Sequence, residues 1–244
     1  MMDVGDLREG IFDKSELLDI AVYVENKLHS LYLYGIGTNF MCYGSVVPTE
    51  ENLSMLAAEA GEIEQRIGRR LEVVSGGATA TIPLMVKRKL PQKINNLRIG
   101  TALILPMVLA DNWNIPLEGM SNYGLILSAE IIEIGEKPTY PVGIIGVNGF
   151  GHKCTYVDRG IRERAVLALG DFDVGDCNRL KPIDPCIKIL GASSDHMIVD
   201  IQECMHHYSL GECISFTLLY QSMLFATGNP LIAKIYHNHA NMNT

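Results

Sequence analysis

Apolar residues in the first hundred positions recur with two alternating periods. Residues 14–28 place Leu17, Leu18, Ala21, Val22 and Leu28 at helical spacing, with acidic and polar residues between them. Leu53, Leu56, Ala60, Ile63 and Ile67 form a longer helical stripe, and Thr49 stands where its N-terminal cap belongs. Around these stripes lie runs of strand length: the tail 2–5, then 31–36, 71–74 and 97–100, with a short helix over 79–88. Strand–helix units joined by short connections predict parallel strands covered by helices. The fold class read from this pattern is α/β, the second half of a (β/α)8 barrel.

The period changes near residue 104. From there β-branched runs alternate with turn signals: 126–134, 142–147, 164–169, 187–190, 197–201, 213–219 and 233–236 read as strands, and Gly135-Glu136-Lys137-Pro138 as the first turn. The pattern predicts a partial barrel over 1–103, a linker over 104–123 that carries the sole tryptophan (Trp113), and a mainly antiparallel β domain over 124–244. The polar end from His237 onward is expected to fray.

Composition narrows the function classes. With 244 residues and 48% hydrophobic side chains, the chain can build real cores and is not of disordered type. Its net charge is −8 and its densest basic cluster is Lys87-Arg88-Lys89, which argues against nucleic acid as a partner. No run approaches the roughly 20 apolar residues of a membrane span. The opening Met1-Met2-Asp3-Val4-Gly5-Asp6 does not read as a signal peptide, so a cytoplasmic location and no membrane partner are expected. The six cysteines are scattered without a CxxC pair. Cys204, His206, His207 and Cys213 read as a polar turn rather than a metal centre, and no metal is expected.

In a parallel barrel, chemistry sits at the C-terminal ends of the strands. Four such ends, 3–8, 35–43, 75–79 and 98–101, each carry glycine, a small hydroxyl residue or arginine. Backbone amides at Gly76-Gly77 and after Arg98 suit a phosphate, and Arg98 suits a ring nitrogen of a phosphorylated aromatic cofactor. Arg8 is the second cation placed at the mouth. Asn39 either contacts the cofactor or satisfies its own loop. His196, beside Asp195, is either a proton shuttle or a structural hydrogen-bonding group. Tyr220 and Tyr236 read as core or interface residues.

The segments Asp3-Val4-Gly5-Asp6-Leu7-Arg8-Glu9-Gly10, Gly35-Ile36-Gly37-Thr38-Asn39, Ile94-Asn95-Asn96-Leu97-Arg98-Ile99-Gly100 and Gly191-Ala192-Ser193-Ser194-Asp195-His196 occur in this order. Together they resemble the pyridoxal-phosphate (PLP) amino-acid racemases of alanine racemase fold, in the ornithine/alanine racemase-like branch. The resemblance implies PLP as cofactor and an amino acid as substrate, interconverted between L and D forms by bases on two faces. It implies that Arg98 faces the pyridine nitrogen and that Ser75, Gly76, Gly77, Gly100 and Thr101 contact the phosphate. It implies that Arg8 lies near the substrate carboxylate, that Asn39 stands where a ring-stacking histidine is usual, and that Ser194 and Asp195 belong to a loop a dimer mate presents to the substrate. His196 joins these as a substrate-contact candidate.

The chain also departs from the pattern. The Schiff-base lysine of the family belongs to a first barrel strand that this sequence does not contain, and Lys87, Lys89 and Lys93 precede a strand, toward the opposite barrel face. Ile144 and Asn148 stand where acidic residues are usual, Thr101 where glutamate is, and Pro106-Met107 where a glycine-arginine pair is. The expectation is a racemase-type chain with impaired or lost catalysis, working as a homodimer or with a complementary barrel fragment. The alternative is a non-catalytic remnant that binds a phosphate ligand or dimerises.

Overall fold

The computed structural model describes residues 1–116, 118–121, 123–149 and 151–237. They fall into two compact units, Met1–Met120 and Ser121–Thr244.

In the first unit, α1 (Lys14–Lys27) and α2 (Glu50–Ile67) cover a two-stranded parallel sheet of β1 (Gly35–Gly37) and β2 (Val73–Ser75). Asp13 caps α1 by accepting from the Glu16 N–H. Thr49 caps α2 reciprocally with Asn52, and Gly68 closes that helix in the left-handed conformation. The apolar stripe of α2 buries Leu56, Ala60 and Ile63 against Leu17 and Ala21 of α1 and against Met2, Ile36, Leu71, Val74 and Ile94. These helices form where the period predicts them. The strands are much shorter than the apolar runs that announced them.

Two flanking segments extend the sheet without becoming strands. Met2 donates to the Gly37 carbonyl and bridges Ile11. On the other side, the run 97–100 expected as a strand does not form one: the bridge to Ser75 is made by Asn96, just before the run, and the run itself contributes the bond from the Arg98 N–H to the Gly77 carbonyl. The Asn95 side chain takes over the ladder here. Its Oδ1 accepts from the Val74 N–H at 2.9 Å and its Nδ2 donates to the Glu72 carbonyl at 2.8 Å.

After a 3-10 turn (Thr79–Thr81), α3 (Ile82–Val86) forms within the segment expected to be helical. Residues 104–113, expected as linker, belong instead to the first unit. They complete α4 (Thr101–Ile104) and form α5 (Met107–Trp113), and Leu105 and Leu109 are fully buried, Leu109 with Ile82 and Ala102. Apolar spacing overrides the composition shift there.

The second unit is a six-stranded antiparallel sheet in the order β5-β8-β3-β4-β7-β6. Its strands are β3 (Leu127–Pro138), β4 (Ile161–Leu167), β5 (Leu180–Pro182), β6 (Lys188–Ala192), β7 (Met197–Asp200) and β8 (Cys213–Leu218). Alternate residues fill the core: Leu127, Ala129 and Ile131; Ala165 and Leu167; Met197 and Val199; Ile214, Phe216 and Leu218. The expected turn at 135–138 is absent, because Gly135 through Pro138 pair with Arg164 through Ile161 and carry β3 onward. Cross-strand pairing outweighs the local turn chemistry. The runs 142–147 and 233–236 are not strands. Pro141, Gly143 and Gly146 interrupt the first, and Val142 and Ile144 lie fully in solvent. Two helices, α6 (Asp171–Val174) and α7 (Tyr220–Gly228), interrupt the β pattern where no helix is expected. The part of the fraying tail from 238 onward lies outside the described residues.

Candidate functional site

The C-terminal ends of β1 and β2 converge on Arg98. Its Nη2 donates to the Thr38 carbonyl at 2.7 Å, just beyond β1, and its Nη1 donates to Ser75 Oγ at the end of β2. The guanidinium therefore straddles both strands. Gly37 makes this possible, since a Cβ there would stand 3.1 Å from Arg98 Nη1 and 2.9 Å from the Ser75 Cβ.

The loop after β2 is built around its glycines. Gly77 has φ +102°, and a Cβ there would press on Phe40 and Thr81 Oγ1, each at 3.0 Å. Gly76 is fully engaged: its N–H donates to the Asn96 carbonyl and its carbonyl accepts from Thr81 Oγ1 at 2.7 Å. That removes Gly76 as an amide donor. The N–H groups of Gly77, Ala78, Gly100 and Thr101 meet no protein acceptor among the described residues. The Thr79 hydroxyl accepts from the Ala102 N–H at 3.2 Å and, with the Arg98–Gly77 bond, ties the two amide-bearing loops together.

A second cluster lies on the loops after Met2 and β1. Arg8 Nη1 donates to Cys42 Sγ at 3.0 Å and Arg8 Nη2 to Glu9 Oε1 at 2.6 Å. Asn39 Nδ2 reaches the same Glu9 oxygen at 3.3 Å and the same sulfur at 3.5 Å. The hydrogen bond from Arg8 holds the Glu9 carboxyl below its usual range, and the charge of Arg98 reaches it too. Glu9 in turn raises Arg8 above its usual value. Beneath them Asp6 is buried; its Oδ1 accepts from the Cys42 and Val46 N–H groups, while its Oδ2 has no partner. The Thr38 hydroxyl is likewise buried and unpartnered. Unsatisfied buried oxygens at strand ends are polar capacity the fold itself does not use.

Ser194, Asp195 and His196 belong to the second unit, in the exposed turn between β6 and β7. Ser194 Oγ donates to Asp195 Oδ2 at 2.7 Å, and the His196 N–H donates to Ser193 Oγ at 3.1 Å. Asn148 accepts from the His152 N–H through its side chain at 2.8 Å, closing a turn, and Ile144 is exposed. His206 lies 3.4 Å from Glu212 and edge-on to Tyr208, within the polar turn expected there.

Ser75 thus ends β2, Thr101 opens α4, and Arg8, Asn39, Gly77, Arg98 and Gly100 lie on the loops of the same unit. Sequence reasoning passed over Glu9 and Cys42, which only the folded loops bring to Arg8 and Asn39. Glu9 was legible in principle as the one carboxylate flanking a candidate arginine. The lysines behave differently. Lys89 pairs with Glu50 at 2.5 Å and Lys93 with Glu64 at 2.6 Å, so they lie toward opposite ends of α2 and in the helical layer.

No protein-family model matches the chain. It is 42% identical over 234 residues to an ornithine racemase from Acetoanaerobium sticklandii, covering 96% of this chain and 65% of that protein. It is 37% identical over 236 residues to a lysine racemase from Thermotoga maritima, covering 97% of this chain and 64% of that one. The chain therefore spans a little under two thirds of these curated relatives. Among solved structures it superposes on an alanine racemase from Acinetobacter baumannii with a TM-score of 0.54, at 14% identity over 93% of this chain and 60% of that chain. It also superposes on an alanine racemase from Bartonella henselae with covalently bound pyridoxal phosphate, with a TM-score of 0.52 and 16% identity, over 88% and 56% of the two chains. In sequence the chain is similar to amino-acid racemases, and in fold to the alanine racemases.

Proposed function

We propose that this chain supplies the phosphate and ring contacts and part of the substrate mouth of a PLP-dependent racemase acting on a dibasic amino acid. The observation that carries the reading is the joining of Arg98, Ser75 and Thr38 across two strand ends beside a glycine loop with unspent amides. The donor set fits PLP. Gly77, Ala78, Gly100 and Thr101 offer N–H groups for the phosphate, and Arg98 keeps further N–H groups for the ring side. PLP, when bound, withdraws electrons from the α-carbon of an attached amino acid. Arg8 is the cation for the substrate carboxylate, and Asn39 lines the same mouth. The substrate class follows the ornithine and lysine racemases that the chain resembles over nearly all of its length. Ser194, Asp195 and His196 belong to the loop that a dimer mate would present to the substrate, in a cytoplasmic assembly that is a homodimer or includes a complementary barrel piece.

The ion pairs of Lys89 and Lys93 with α2 support the reading that neither supplies the covalent anchor for the cofactor. This polypeptide alone is accordingly a binder with impaired or lost turnover. Titration with PLP, followed by absorbance, tests the binding half. Arg98→Ala should weaken affinity by about 1.5–3 kcal/mol, the worth of a charge-assisted contact, and pyridoxal without phosphate should bind more weakly than PLP. Equal affinity of the variant would place the ligand elsewhere. Chiral chromatography of ornithine incubated with the chain and PLP tests the other half: enantiomer exchange above a PLP-only control would show a lysine of this chain at work.

A further inference from the structure

The mouth of the first unit contains three carboxylates, each with an oxygen that receives no hydrogen bond among the described residues. Asp3 and Asp6 are buried, Asp3 accepting from the Gly5 and Leu7 N–H groups through Oδ1 alone. Glu9 differs in its exposure. Its Oε1 takes both Arg8 Nη2 and Asn39 Nδ2, whereas its Oε2 receives no hydrogen bond among the described residues, and the side chain is 42% exposed. One oxygen is a fixed anchor and the other meets no protein donor among the described residues, in a half-exposed side chain beside the cation assigned to the substrate carboxylate.

The charges around it say what that oxygen suits. Arg8 and Arg98 both lie within electrostatic reach of Glu9 and keep it ionised. An α-amino acid with a neutral aliphatic side chain would bring its carboxylate to Arg8 and leave Glu9 Oε2 with solvent alone. A side chain ending in an ammonium would place a three-donor cation on that oxygen, a charge-assisted contact the neutral analogue lacks. Arg8 and Glu9 are adjacent in sequence and bonded to each other, so recognition of the carboxylate and of the distal cation is built on one loop.

We infer that Glu9 is a specificity-determining residue: through Oε2 it accepts the distal ammonium of a dibasic amino acid whose carboxylate lies on Arg8. The inference rests on the amino-acid reading of this site and adds to it the residue that selects the side chain. The Arg8 contact is kept in Glu9→Gln, because the amide oxygen can still accept from Arg8 and Asn39, so the charge is removed without dismantling the cluster.

The test uses the full chain with pyridoxine 5′-phosphate, which carries no aldehyde and so cannot react with free amines. Binding of ornithine and of norvaline, which has the same carbon skeleton without the terminal amine, is measured by calorimetry or ligand-observed NMR. Ornithine should bind about tenfold more tightly than norvaline, the ratio equivalent to one modest charged contact. Glu9→Gln should bring that ratio close to one through loss of ornithine affinity alone, and Glu9→Asp should restore part of it. Circular dichroism identical to the parent chain shows that the variants fold. If both amino acids bind the parent chain equally, the role of Glu9 is overturned while the amino-acid site stands. If neither binds, the site reading itself fails and takes this inference with it.

Discussion

The two units differ in where their spare polar groups stand. In the second unit β3 runs for 12 residues and pairs on both sides, and Arg162 and Arg159 close on the buried Asp200 at 2.6 and 3.6 Å, with Arg162 also reaching Glu203; its buried atoms without a partner, Arg164 Nε and Ser222 Oγ, stand apart from each other on β4 and α7. In the first unit the strands are three residues long, and side chains such as Asn95 and Arg98 make the connections a ladder would otherwise make. The polar capacity left over there collects beyond the strand ends, in Asp6 Oδ2, the Thr38 hydroxyl, the Gly77 and Gly100 amides and Glu9 Oε2. A long antiparallel sheet consumes its backbone hydrogen-bonding groups in making itself. A few short parallel strands with glycine-rich exits leave theirs available to a ligand.

The largest effect that would sharpen this contrast is expected in the core of the second unit. Phe216 is fully buried on β8, opposite Leu127 and Pro182 of the flanking strands. Phe216→Ala should cost about 3–5 kcal/mol by loss of transfer energy and formation of a cavity. Chemical denaturation followed by β-sheet circular dichroism measures it. PLP affinity of the folded fraction should stay at the parent value, because every amide and cation assigned to the cofactor lies in the other unit. A parallel loss of affinity would break the separation drawn here.

How much of this was legible beforehand follows the same divide. The helical stripes of α1 and α2 and the Thr49 cap are written in local periodicity, and the structure forms them with their bounds nearly as read. The strand runs 164–169, 197–201 and 213–219 also appear, because alternation over a half-buried face is a local signal. The turn at 135–138 misled because Gly and Pro speak for local geometry, whereas β3 is held by pairing with β4. The run 142–147 misled in the opposite sense, since β-branched residues alone do not supply a partner strand. At the site, arginine and glycine positions could be marked from spacing. The partnership of Glu9 with Asn39 and of Arg8 with Cys42 could not, because each joins residues 30 or more positions apart.

The next effect in size probes the completed ion cluster. Asp200 is 1% exposed and accepts from Arg162 Nε and from the Gln202 N–H. Burial alone would raise its carboxyl, but the Arg162 hydrogen bond, the Gln202 N–H and the two arginine charges outweigh that and lower it below the usual range. A depressed folded-state value means the unfolded chain takes up a proton first. The stabilisation is therefore fully present above the unfolded value near pH ~4 and is lost as pH falls through the folded one. Asp200→Asn should cost about 3 kcal/mol at pH 7, the lower end for breaking a buried pair, because Arg159 is partly solvated. It should also flatten the fall in the urea midpoint of the second unit below pH ~4. A variant with the parent's acid profile would show that other carboxylates set that limb.

The smallest expected effect carries the comparison furthest, because it turns on a single side chain that stands in for a strand. Val74 is 2% exposed, and its N–H has the Asn95 carboxamide oxygen as acceptor. In Asn95→Ala that N–H loses the acceptor it has and stays buried. The penalty for such a group is about 1–3 kcal/mol. The consequence for function should exceed what that figure suggests. Asn95 and Asn96 fix the segment that delivers Arg98 to Ser75 and Thr38, and only the Asn96–Gly76, Asn95–Val74 and Arg98–Gly77 backbone bonds would remain to hold it. Asn95→Ala should therefore weaken PLP binding although Asn95 touches none of the groups assigned to the cofactor, and Asn95→Asp, which keeps the acceptor and loses the donor, should lie between it and the parent. Unfolding free energy from urea titration and PLP affinity from absorbance are read on the same samples. If Asn95→Ala lowers stability while PLP affinity stays at the parent value, the segment is held by its backbone alone, and the short-strand unit does not depend on side chains in the way its geometry indicates.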